Sequence, residues 1–76
     1  MSEMEWLRTF AGNLAYYMDN CGFSQSELAQ RSGLEQASIS RYLRAQQMPG
    51  PKALVNLANV FGVSLDDFMD FGSMIR

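Results

Sequence analysis

The chain has 76 residues, 47% of them hydrophobic, a formal net charge of −2, no histidine and a single cysteine. That length holds one domain with no room for a second core, and that apolar content excludes a disordered chain. Cys21 alone excludes an internal disulfide, and no apolar run nears the roughly 20 residues that span a bilayer. The N-terminus lacks a basic-then-apolar leader pattern, so one soluble, cytoplasmic domain over residues 1–76 is expected.

Periodicity predicts five helices and no strand. The first runs from about Met4 to Asn20: Leu7, Phe10, Leu14 and Tyr17 or Met18 step by three and four residues, with Ala11 and Ala15 beside them. Gly22 ends it in a left-handed C-terminal turn. Ser24 starts the second helix, and Glu27 three residues later completes a capping-box pattern. Leu28 and Ala29 supply its apolar face and Gly33 stops it. Leu34 points back to the core, and a third helix follows with Ile39 and Tyr42 or Leu43 on its inner side. Met48-Pro49-Gly50-Pro51 forms a rigid loop that places Pro51 in a first helical turn. Leu54, Leu57, Ala58 and Phe61 mark the fourth helix, which Gly62 stops. Ser64 caps a short fifth helix whose first turn carries Asp66 and Asp67, where the helix dipole favours them. Leu65, Phe68 and Met69 are expected to face inward.

Charge is unevenly placed. Residues 1–23 carry Glu3, Glu5 and Asp19 against Arg8, and residues 53–76 carry Asp66, Asp67 and Asp70 against Arg76. Only the middle segment, residues 24–52, is positive: Arg31, Arg41, Arg44 and Lys52 outweigh Glu27 and Glu35. This segment also holds two short helices broken by a glycine turn, over residues 24–45, which is the arrangement that lays a second helix in the DNA major groove. With Ile39 and Tyr42 hidden, Gln36, Ala37, Ser40, Arg41 and Arg44 fall on the open side. Glutamine can pair with adenine N6 and N7, and arginine with guanine O6 and N7. Alanine can meet a thymine methyl, and serine can serve either role. Gln25, at the start of the second helix, can hold a phosphate together with nearby backbone N–H groups.

The run Ser24-Gln25-x-Glu27-Leu28-Ala29, then Gly33-Leu34, then Ser38-Ile39-Ser40-Arg41-Tyr42 resembles the XRE, or lambda repressor and Cro, type of helix-turn-helix domain. A closing segment, Leu54-x-x-Leu57-Ala58-x-x-Phe61-Gly62-Val63-Ser64-Leu65-Asp66, matches in register, so the resemblance covers about Leu7 to Met69. It implies an all-α, five-helix lambda-repressor-like fold that binds a partly palindromic operator as a dimer. It implies base contacts from Gln36, Ala37, Ser40 and Arg41, and phosphate contacts from Gln25 and Arg44. The chain departs from the family pattern at four places. Glu35 stands where the cap of the third helix is usually Ser or Thr, and Ala45 where that helix often ends in Gly. Leu43 replaces a frequent Glu, and Gln46 and Gln47 replace basic residues. These departures lower electrostatic affinity or reshape the binding surface without touching the fold.

Other features have plainer readings. Trp6 and the pair Tyr16-Tyr17 are expected in the core rather than as base-stacking platforms, and most of the six methionines in packing or at the termini. Phe68, Met69, Phe71 and Ile75 exceed what so short a chain can cover, so an exposed apolar patch near the C-terminus is expected, serving a homodimer contact. No nucleophile–base pair, Cys/His cluster or glycine-rich phosphate loop occurs, so no enzyme activity, metal or cofactor is expected. The expected function is therefore sequence-specific double-stranded DNA binding by a phage- or prophage-type repressor, regulated by concentration, dimer affinity or a protein partner. The rival is an antitoxin-like or adaptor module that uses the same fold for protein contacts; the acidic balance and Glu35 favour it.

Overall fold

The computed structural model describes residues 2–69. Five helices run through them: α1 Glu3–Cys21, α2 Gln25–Ser32, α3 Gln36–Leu43, α4 Pro51–Phe61 and α5 Leu65–Phe68. No strand occurs among the described residues. Local chemistry sets most of the boundaries. The Ser24 and Ser64 hydroxyls accept from the Glu27 and Asp67 amides, each at 3.1 Å, and Pro51 occupies the first turn of α4. Glu27 does not complete the expected box at α2: its carboxylate turns to Arg31, one helical turn on, at 3.1 Å. The full reciprocal box stands at α1, where Ser2 and Glu5 exchange bonds of 3.1 and 3.3 Å and start the helix earlier than its apolar stripe indicates.

The core is one cluster shared by all five helices. Phe10, Leu14, Leu28, Ile39, Leu57 and Phe68 are fully buried, with Met18, Tyr42, Ala53, Ala58 and Phe61 around them. Phe10 is its pivot, meeting Tyr42 edge-on at 5.8 Å, Phe68 edge-on at 6.0 Å and Trp6 in a stack at 5.5 Å. α1 thereby backs α3, while α2 packs against both α3 and α4.

Four expectations are corrected. Phe68 is 0% exposed and belongs to the core, which agrees with its expected inward position and overturns its place in an exposed C-terminal patch; Met69 is half-buried against the same cluster. Leu65 is 42% exposed, because a one-turn helix has a single inner position and Phe68 takes it. Tyr16 is 49% exposed: neighbouring helix positions point about 100° apart, and Tyr17 is the one turned onto Phe61 and Phe68. Ala15 is exposed as well, leaving Ala11 as the small residue of the stripe. The expectations for Phe71 and Ile75 lie outside the described residues.

Candidate nucleic-acid interface

α2 and α3 are joined by Gly33-Leu34-Glu35, and the turn is set by backbone chemistry. Gly33 has φ 72°, a left-handed conformation that costs glycine little, and its N–H donates to the Ala29 carbonyl at 3.0 Å. The Ser32 hydroxyl accepts the Leu34 amide at 3.2 Å, while Asn56 of α4 donates to the Ser32 carbonyl at 3.1 Å. The end of α2 is thus tied to α4 beside the turn into α3.

α3 divides cleanly. Ile39 and Tyr42 are buried against α1 and α2, as expected, and Leu43 is half-buried. Gln36, Ala37 and Arg41 are exposed, and Ser40 is half-buried at the edge of the same face. Gln25 opens α2, half-exposed, next to amides at the first helical positions that have no intrahelical acceptor. Arg44 is the cap residue at the far end of α3, exposed. Of the four expected base-reading residues, Gln36, Ala37 and Arg41 are exposed and Ser40 is half-buried beside them; the expected phosphate contacts Gln25 and Arg44 stand at the start of α2 and the end of α3.

Side-chain bonds on this face go beyond what the sequence pattern indicates. Arg44 folds back along its helix, its Nε donating to the Ser40 carbonyl at 3.3 Å and its Nη2 to the Ser40 hydroxyl at 2.9 Å. Arg41 donates from Nε to the side-chain oxygen of Gln47 at 2.8 Å. Gln47 was legible only as a missing positive charge; the bond depends on a turn that the sequence marks only through Ala45 standing where the family pattern often has Gly. That turn is at Ala45, with φ 55°. Its amide donates to the Tyr42 carbonyl at 3.1 Å and the Gln46 amide to the Arg41 carbonyl at 2.8 Å, the pair of bonds that usually closes a helix around glycine. At the other end Glu35 caps α3 without a side-chain bond, in keeping with the departure seen in the sequence.

Among the described residues the only ion pair is Arg31–Glu27, and Arg31 also lies 4.6 Å over the Phe23 ring. Arg41, Arg44 and Lys52 have no carboxylate partner there, so the middle segment keeps its positive charge at the surface.

The model of the helix-turn-helix family HTH_3 matches residues 14–68, most of the chain. The chain belongs to the HTH_3 helix-turn-helix family. As an HTH_3 member it is a DNA-binding protein of the transcription-regulator class. Among solved structures, it is similar to a hypothetical transcription factor, NHTF, from Neisseria. The two are 25% identical with a TM-score of 0.81, over 91% of this chain and 79% of the other. It also shares its fold with an HTH_3 family transcriptional regulator from Vibrio cholerae, with a TM-score of 0.87 and 19% identity. There the match covers 97% of this chain but 42% of the Vibrio protein. No curated protein matches the chain. No helix among the described residues of this HTH_3 chain is long and apolar enough to cross a membrane.

Proposed function

We propose that this HTH_3 protein is a sequence-specific repressor of the phage or prophage type, binding a partly palindromic operator as a dimer. The observation that carries the reading is the division of α3: Ile39 and Tyr42 sealed in the core, and Gln36, Ala37 and Arg41 exposed together on the opposite side. In this reading Gln36 pairs with adenine, Arg41 with guanine, and Ala37 meets a thymine methyl. Ser40 and Arg44 act as one unit at the groove edge, the hydroxyl holding the guanidinium that meets a phosphate. Gln25 and the first amides of α2 hold a second phosphate across the groove.

The reach of one α3 supports the dimer reading. The eight residues of α3 span about 12 Å, which covers only about four base pairs. Two copies roughly one DNA turn apart would double that, reading half-sites spaced by ~10 bp. Repression then needs no chemistry: an occupied operator excludes polymerase.

The test is a binding selection from randomised duplex DNA with the wild type, Gln36→Ala and Arg41→Ala. The wild type is expected to enrich a partly palindromic site, and each variant to relax one position in each half. Affinity for that site should fall steeply as salt rises. No enrichment, or an affinity indifferent to salt, would mean that the fold serves protein contacts instead.

A further inference from the structure

We propose that Gln47 is a positioning residue for Arg41, holding its guanidinium so that its Nη1–Nη2 end faces the groove, and that this bond sets the guanine preference of α3. The proposal rests on the DNA reading above and assigns to it a residue outside both helices of the motif.

The route of the chain places Gln47. At Ala45 the backbone turns left-handed, and the Gln46 amide closes onto the Arg41 carbonyl at 2.8 Å. This reverses the chain over the last turn of α3, so Gln47 returns beside Arg41, six residues before it in sequence. Its side-chain oxygen then accepts from Arg41 Nε at 2.8 Å, a short, well-formed bond.

The chemistry of the guanidinium gives that bond a consequence. Its five N–H groups form a rigid fork with two useful edges, one through Nε and one through the two Nη atoms. With Nε committed to Gln47, the Nε edge is closed and the Nη1–Nη2 end remains for a bidentate partner. Guanine O6 and N7 form such a partner in the major groove. Arg44 has its Nε edge closed in the same way, Nε and Nη2 donating to Ser40, but it stands at the far end of α3 and is assigned to a phosphate. The acceptor is also neutral. A carboxylate at position 47 would hold Arg41 equally well but cancel positive charge that the phosphates require. Glutamine orients the fork and leaves the charge intact.

The experiment uses the selected duplex and a copy in which 7-deazaguanine, lacking N7, replaces the guanine read by Arg41. Affinities for both are measured with the wild type, Arg41→Ala, Gln47→Leu and Gln47→Glu. Pre-ordering one long side chain is worth roughly 2- to 10-fold. Gln47→Leu should therefore lose roughly that much of the guanine preference, while keeping the wild-type melting temperature and salt slope. Gln47→Glu should restore the preference at a lower overall affinity. A full preference in Gln47→Leu, or none regained in Gln47→Glu, overturns the proposal while operator binding stands. If Arg41→Ala keeps the guanine preference, the assignment of Arg41 falls and this proposal with it. If the wild type selects no site, the DNA reading itself has failed.

Discussion

Ala45 holds a left-handed φ of 55° at the end of α3, where Gly22 and Gly62 hold 70° and 71° at the ends of α1 and α4. The three turns use the same pair of backbone bonds, so the geometry is common and only the side chain differs. A residue with Cβ pays about 1–2 kcal/mol for this conformation, whereas glycine loses about 0.5–1 kcal/mol in chain entropy on folding. Ala45→Gly should therefore stabilise the protein by about 0.5–1 kcal/mol, seen as a melting temperature several degrees higher. An unchanged or lower value would show that the turn carries no strain. At the opposite end of α3, Glu35 makes no cap bond with its side chain. Glu35→Asp supplies a shorter carboxylate that reaches the backbone amides, and should add about 1 kcal/mol in denaturant unfolding at constant charge. Glu35→Ser also caps, and in addition removes a negative charge beside the proposed reading face of α3. It alone should tighten duplex binding, with the gain fading as salt rises. Equal affinity in the two variants would place Glu35 away from the phosphates.

Among the elements, α5 depends most on its neighbours. Four residues cannot persist as an isolated helix, since nucleation outweighs the few bonds gained. It is held by the burial of Phe68, by Tyr17 Oη donating to the Asp67 carbonyl at 3.4 Å, and by Asn13 Nδ2 donating to the Phe68 carbonyl at 3.1 Å. Asn13 is 1% exposed, so no water replaces that bond when it is lost. Asn13→Leu should cost about 1–3 kcal/mol, with the amides of Phe68 and Met69 losing hydrogen-exchange protection before the rest. Uniform loss of protection would show α5 to be part of the same cooperative unit as α1. Asn13 also shows where sequence patterns stop. Leu7, Phe10, Leu14 and Tyr17 or Met18 were legible as a stripe from their spacing, but spacing marks apolar residues and is silent on a polar one sealed among them. The Ser2–Glu5 box, by contrast, carries the same serine–glutamate spacing as the pair at α2 and was available to read.

Across the whole molecule, the helix order and the inner face of α3 were legible because caps, glycines and apolar periodicity are local chemistry. Side-chain partnerships were not. Arg41 with Gln47, and Arg44 with Ser40, depend on how the chain bends after α3, and the bend lies at an alanine that carries no turn signal of its own. The same holds for charge. A net value of −2 describes a protein ill suited to DNA, yet Arg41, Arg44 and Lys52 are without acidic partners among the described residues. What a polyanion meets is the local field around α3 and not the average over the chain.

The division of α3 into a sealed side and an open side has a practical corollary for redesign. Ile39 and Tyr42 carry the packing, so the exposed Gln36, Ala37 and Arg41 can be randomised on an unchanged scaffold, which on the proposed reading would reprogramme recognition. Such a library should vary positions 41 and 47 together, because a new side chain at 41 inherits a neighbour fitted to arginine.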